Sequence, residues 1–440
     1  MSGQVPYSRK ESILSNKVLL INPPFARLAG LEQDYVPMAL WHISTLLKQQ
    51  GFDPYIKNLN IKSGLHYVGY LERTQKYSNL MSLYDMYKSD FYEELNDAIK
   101  QIKPDIIGFT VLTPQIKIVN DLTRYIKFNY NIPIFCGGAG ATLNYFKINN
   151  CNLIYLGGVS HLKDIDSIEN YTSTIIADQF TFGNYKGNLN LDGILDKYSP
   201  DGYGHVFSSV GCYANCRFCA SPAIWHRKVY FKPIDSFLIE LKLIADKFNP
   251  NKFQIWDENF TASTHRLKLF CERYDLGIPW MCDSRIVSLN ENKIKLMKQS
   301  GCMQIAVGAE SGCQRILDYL NKGVNTETIK HTFDLLNKYE MKSKAYMIIG
   351  FPEETETEIL ESIEFIKSCN PTSIVLSLFT PYTHTLLYNE CVDKGLINAE
   401  TYDESDHSHQ SGTFMKQIHP EIHIENIIKL IDDYNFKGGK

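Results

Sequence analysis

No apolar run in this 440-residue chain is long enough to cross a bilayer, because proline, lysine or asparagine breaks the longest ones. That argues against a membrane-spanning helix. The polar stretch from Met1 to Lys17 lacks the apolar core of a secretion signal. Neither sign of charge dominates: 45 Lys and Arg against 49 Asp and Glu give a net charge of −4. A dedicated nucleic-acid binder usually carries a basic surplus, and none is present. Internal repeats and low-complexity tracts are missing too. The eleven cysteines are an odd number, and eight stand singly: Cys136, Cys151, Cys271, Cys282, Cys302, Cys313, Cys369 and Cys391. Such usage suits the reducing cytoplasm, not a disulfide framework. What remains is a cytoplasmic globular chain, 44% apolar, with length for two or three domains.

The first third alternates strand and helix signals. Strands are expected at Lys17–Asn22, Pro54–Asn58, Asp105–Thr110, Ile132–Cys136 and Asn152–Leu156, with helices over 37–50, 89–102 and 115–129. Residues 61–85, rich in Tyr, Ser, Gly and Lys, read as an irregular insertion. Alternation of this kind predicts an α/β domain over 1–160, a doubly wound parallel sheet of Rossmann/flavodoxin-like type. In such sheets ligands bind beyond the carboxyl ends of the strands. Residues 161–204 lose the rhythm and read as a connector. It resumes with strands near 205–210, 252–257, 278–285, 302–308, 343–349 and 373–379. Six strand-helix units over 205–385 predict an open, partial TIM barrel of (β/α) units, followed by a C-terminal segment, 386–440, that ends in an amphipathic helix near 421–434.

Three cysteines, Cys212, Cys216 and Cys219, crowd into eight residues just after the first barrel strand. Barrel chemistry sits on that face. Thiolates are soft ligands that select iron-sulfur clusters, zinc or copper. Three of them can hold three irons of a four-iron cluster and leave the fourth open. The alternative is a Cys₃His zinc site completed by His226.

The Cys-x-x-x-Cys-x-aromatic-Cys pattern, in this barrel setting, resembles the radical S-adenosylmethionine enzymes. Further stretches are similar in the same order: Gln254 to Thr261, Trp280 to Arg285, Val307 to Gly312, Asn321-Lys322-Gly323 and Ile349 to Glu353. Val210 stands where the family often has arginine. The resemblance implies a 4Fe-4S cluster on Cys212, Cys216 and Cys219, whose open iron chelates S-adenosyl-L-methionine, and a 5′-deoxyadenosyl radical that abstracts hydrogen from an unactivated carbon. It implies S-adenosylmethionine contacts at Phe218, whose backbone lies near adenine in that family, and at Glu258, Ser284, Arg285 and Glu310.

The first domain is similar to the cobalamin-binding branch of that superfamily, on Asn22-Pro23-Pro24, the helix after Pro37, Gly108 to Thr110, Thr113, and Gly137-Gly138 with Thr142. Small residues at strand ends let a flat macrocycle approach the backbone. The resemblance implies cobalamin contacts at Thr110, Thr113, Gly137, Gly138 and Thr142. No Asp-x-His-x-x-Gly occurs, and the domain's histidines are His42, His66 and His161, so cobalt would lack the usual lower histidine. The match fades after Thr142, where Leu156 to His161 replaces the expected Gly-Glu segment.

The expected function is a cobalamin-dependent methyltransferase acting on an sp³ carbon of a small metabolite or peptide, with flavodoxin or ferredoxin as electron donor. The alternative is a rearrangement, cyclisation or oxidation with a first domain that binds no cobalamin. No residue is singled out as catalytic. His384, His407 and His409 read as solvated loop histidines, and nothing in the sequence names the substrate.

Overall fold

The computed structural model describes residues 16–31, 33–61, 70–156, 162, 164–171, 174–177, 182, 185–403 and 412–438. Six parallel strands make the first sheet: β1 (Lys17–Asn22), β2 (Asp53–Asn58), β3 (Ile106–Thr110), β4 (Ile134–Gly137), β5 (Leu153–Leu156) and β6 (Thr174–Ala177), in spatial order β2-β1-β3-β4-β5-β6. Parallel strands need crossovers, and helices α1 (Met38–Gln49), α2 (Tyr70–Ser78), α3 (Leu80–Ile102), α4 (Ile116–Asn129) and α5 (Ala139–Asn144) lie between them. Order reverses at β1, as a doubly wound sheet requires.

Two sequence expectations are corrected here. The stretch read as an irregular insertion over 61–85 is helical from Tyr70 onward, apart from a break at Asn79. Its tyrosines supply the apolar face: Tyr77 and Tyr84 are buried, and Tyr84 stacks on Phe91 at 5.8 Å. Part of the connector expected over 161–204 is paired into the first sheet. Its Thr174–Ala177 pairs with Leu153–Leu156 as β6, and Ile194 bridges Ile56 at the other edge. The sheet therefore runs beyond residue 160. Residues 157–161, with the Leu156 to His161 departure and His161, and also His66, His407 and His409, lie outside the described residues.

The second sheet is an open barrel of six parallel strands: β7 (His205–Val206), then, after the short antiparallel pair β8 (Ser209–Val210) and β9 (Tyr230–Phe231), β10 (Phe253–Ile255), β11 (Trp280–Ser284), β12 (Cys302–Glu310), β13 (Lys342–Ile349) and β14 (Ser373–Leu378). The order β14-β13-β12-β11-β10-β7 follows the chain. All six fall where the sequence put them. A helix over Ile424–Gly438 packs on β14, and its Asn435 amide bonds both backbone groups of Ile374 at 2.8 Å.

The two sheets share one core. Val18, Leu20, Trp41 and Ile56 belong to the same buried cluster as Val206, Phe237 and Trp280. The connector fastens them: the Trp41 indole donates to Asn190 O at 2.7 Å, and Asn190 donates to Ser44 Oγ and Thr45 Oγ1. Tyr203 stacks on Phe248 at 3.7 Å beside Trp41. No helix among the described residues is long and apolar enough to cross a membrane.

Candidate active site

The cysteine loop starts with Gly211, at φ 91°, where a Cβ would stand 2.2 Å from Lys228 O. Only glycine lets the chain pass beneath the turn after α6 (Ser221–Trp225) at that point. Cys212 and Cys216 are buried and Cys219 is half-buried. Cys219 N donates to Cys216 O at 3.1 Å, and Ser221 N donates to Cys219 Sγ at 3.4 Å. Burial pushes the Cys219 thiol up to about 11, and the neighbouring Cys216 and Cys212 add to the rise. No three His, Cys, Asp or Glu among the described residues already stand in metal-holding geometry. The donor chemistry is three soft thiols on one short loop, without a fourth ligand, and it fits a cluster with one open iron. His226 is exposed in a left-handed turn at the end of α6, so a Cys₃His zinc site is not assembled.

Four of the five residues expected to contact S-adenosylmethionine lie at the same rim as this loop. Arg285 Nη1 donates to Cys216 Sγ at 3.3 Å, which sets a fixed positive charge against that sulfur, and Nη2 donates to Lys322 O at 2.8 Å. Lys322 in turn bonds Glu310 Oε1 at 2.5 Å and lies 5.9 Å from the Phe218 ring. Gly308 makes room for this pair, since a Cβ there would stand 2.3 Å from Glu310 Oε1. Glu310 itself adopts φ 63°, a left-handed conformation that a glutamate takes only when its surroundings impose it. Glu258 accepts from Gly211 N at 2.9 Å. Ser284 differs: it is buried, shares a hydrogen bond with the Thr261 hydroxyl and donates to Arg285 O.

A cavity of about 440 Å³ opens between the two sheets. Of the residues expected around cobalamin, Thr110, Gly137, Gly138 and Thr142 line it, whereas Thr113 is buried in the turn against Gly140 and does not. The glycines differ in role. Gly138, at φ 108° with Val111 O at 2.8 Å from its Cβ position, serves chain geometry. Gly137 has only Tyr155 within 4 Å, at 3.8 Å, so its flank stays bare. The bare flank and apolar walls fit a large flat ligand. The opposite wall comes from the barrel: Phe207, Trp225, Trp256 and Glu258. Ser209 and Val210, just before the cysteines, and Ser221, just after them, line the same cavity.

Sequence reasoning missed several polar residues here. Asp257 is fully buried and accepts from Ser208 N at 2.6 Å and from the Ser208 and Ser209 hydroxyls at 2.6 and 2.5 Å. Lys232 pairs with Glu240 at 2.8 Å, and Tyr185 donates to Glu240 at 2.5 Å. His42 lines the cavity. Lys322 and Asp257 lie in quoted motifs and could have been proposed from them; the others carry no local signal.

The model for the Radical SAM superfamily matches residues 206–366, and that for the B12 binding domain matches residues 26–156. The chain is a radical SAM protein with a B12-binding domain in front of the barrel, and the cofactors of that combination are a 4Fe-4S cluster, S-adenosylmethionine and cobalamin. It is 25% identical over 336 residues to the uncharacterized methyltransferase PH0819 of Pyrococcus horikoshii, covering 70% of this chain and 73% of that one. It is 22% identical over 346 residues to the anaerobic magnesium-protoporphyrin IX monomethyl ester cyclase of Rubrivivax gelatinosus, covering 69% of this chain and 61% of the cyclase, under two thirds of its length. The solved structure of the radical S-adenosylmethionine methyltransferase TsrM from Kitasatospora setae, with tryptophan and aza-SAM bound, has the same fold. It superposes with a TM-score of 0.67 at 15% identity, covering 86% of this chain and 76% of that one.

Proposed function

We propose that this protein is a cobalamin-dependent radical SAM methyltransferase that methylates an sp³ carbon of a small metabolite or peptide. One observation carries the reading: the cavity bordered by the B12-binding domain is also walled by the residues on both sides of the three cysteines. Both cofactor sites thus open into one space. The methyltransferase relative and the methyltransferase fold support it.

On this reading Cys212, Cys216 and Cys219 hold the cluster, Phe218, Glu258, Arg285 and Glu310 surround S-adenosylmethionine, Ser284 supports Arg285 from behind, and Thr110, Gly137, Gly138 and Thr142 border cobalamin. When bound, the cluster and S-adenosylmethionine supply hydrogen abstraction from carbon and cobalamin supplies the methyl group. The chain's own residues bind, orient and exclude water. Arg285 fixes the Cys216 sulfur. Glu258 fixes the loop's entry through Gly211 N. Lys322 balances the buried Glu310 charge until a ligand cation competes for it. Phe207, Trp225 and Trp256 keep the shared space apolar, which protects reactive carbon centres from solvent. A low-potential electron donor such as flavodoxin or ferredoxin, in a reducing cytoplasm, completes the scheme.

The test is protein purified without oxygen and reconstituted with iron, sulfide and hydroxocobalamin, with iron, sulfide, cobalt and zinc determined per chain. About four irons with one cobalt support the reading. Iron without cobalt removes methyl transfer and favours the cyclisation or oxidation alternative, to which the cyclase relative would then point. Zinc instead of iron overturns the enzyme assignment.

A further inference from the structure

Resting on the cobalamin reading, we infer that His42 is a cofactor-binding residue of the interdomain cavity, whose imidazole hydrogen-bonds a carboxamide on the rim of the bound cobalamin. His42 projects from the first turns of α1 into the cavity wall and is only 7% exposed. Its Nδ1 is sealed off without a partner, out of a ligand's reach, and Nε2 likewise has no hydrogen bond among the described residues. Three aromatic rings hold the imidazole in place: Phe182 at 5.7 Å, Tyr185 at 5.4 Å and Phe207 at 5.6 Å.

Buried polar groups are nearly always paired, and one left unpaired costs stability. The ring is well fixed and lines the cavity, and its Nε2 is the nitrogen that a cavity ligand can complete. The charge of the ring narrows what that is. The Lys232 ammonium lies 3.9 Å from the Phe207 ring, paired with Glu240, which also takes the Tyr185 hydroxyl. Burial first, and the Lys232 charge second, hold His42 down to about 3, so the imidazole is neutral at physiological pH. A neutral imidazole offers one N–H and one lone pair, with no net charge. Whichever role Nε2 takes, a carboxamide answers it, since an uncharged amide both donates and accepts. The neutral ring suits a phosphate or carboxylate poorly. The rim of the corrin macrocycle carries carboxamides, whereas a protonated ring would stand as a like charge beside the metal.

The experiment titrates hydroxocobalamin into the full-length, iron-loaded protein without oxygen, comparing wild type with His42→Phe and His42→Gln by visible absorption. His42→Phe is expected to bind hydroxocobalamin about three- to tenfold more weakly, and His42→Gln to recover most of the loss, with iron content and S-adenosylmethionine binding unchanged. Equal affinity of wild type and His42→Phe overturns the inference. So does a nitrogen splitting in the wild-type cobalt(II) EPR spectrum that vanishes in His42→Phe, because His42 would then be a cobalt ligand. Should the phenylalanine variant fail to fold, ¹⁵N-histidine NMR of the wild type decides: the neutral His42 resonance must shift on adding hydroxocobalamin, and an unmoved resonance overturns the inference. A wild type that takes up no hydroxocobalamin defeats the cobalamin reading itself, a result distinct from the others.

Discussion

The Glu310 carboxylate and the Lys322 ammonium meet at 2.5 Å in the gap left by Gly308, each more than nine-tenths buried. Removing one member of such a pair strands the other in a poorly solvating site. Lys322→Met is expected to lower unfolding stability by about 3–5 kcal/mol, and the double variant with Glu310→Gln to recover part of that. Gly308→Ala should also destabilise, because its Cβ would drive the two charges apart. Anaerobic denaturant titration of the four proteins checks all three statements.

Iron retention separates the loop cysteines from the rest. Cys212→Ala, Cys216→Ala and Cys219→Ala should each lose nearly all iron after reconstitution, while Cys271→Ala and Cys369→Ala should keep about four per chain. Arg285→Met should retain the protein fold yet hold the cluster less firmly, since the guanidinium contacts Cys216 Sγ. Iron and sulfide content during dialysis against a chelator measures both.

Glu354 governs a pH effect in the barrel. Its Oε2 accepts from Gly350 N at 2.7 Å, its Oε1 is buried without a partner, and burial pushes its carboxyl up to about 8 from an ordinary 4.5. Between those values the folded form keeps a proton that the unfolded chain has released. Stability on this account is full below pH 4.5, falls as pH rises through that window, at most about 1.4 kcal/mol per pH unit, and levels off above 8. Glu354→Gln should flatten the slope, as seen in denaturation midpoints from pH 5 to 8.

Lys232 is 1% exposed on its side chain and Glu240 4%. Lys232→Met should therefore cost about 3–5 kcal/mol by leaving Glu240 uncompensated. It should also raise the His42 proton affinity, because the Lys232 charge is one of two causes that depress it. Thermal unfolding reports the first effect, and a histidine NMR titration the second.

Much of this was legible in the sequence where pattern and physics coincide. Short apolar runs such as Lys17–Asn22 and Lys342–Ile349 alternate with amphipathic helices, so both parallel sheets and all six barrel strands could be expected. The cysteine loop announces itself by spacing. Thr174-Ile-Ile-Ala177 was lost because four residues flanked by polar ones carry too little pattern, and their pairing with β5 is a tertiary fact. The helices from Tyr70 were lost because tyrosine reads as polar in composition yet packs as an aromatic, as Tyr84 does on Phe91. Gly138 lines the cavity, yet what demands a glycine there is the close approach of Val111 O, 2.8 Å from its Cβ position, a contact invisible in sequence. His42 and Lys232 have no neighbours in sequence that betray them, since α1 and β9 come together only in the folded chain.

The Asn435 side chain, joined to both backbone groups of Ile374, imitates one rung of a further strand along the free margin of β14. An open barrel leaves such a margin as a template on which another molecule can add its own strand. By occupying that rung and covering the adjacent surface with an amphipathic helix, the last described segment leaves no open template at Ile374 for an added strand.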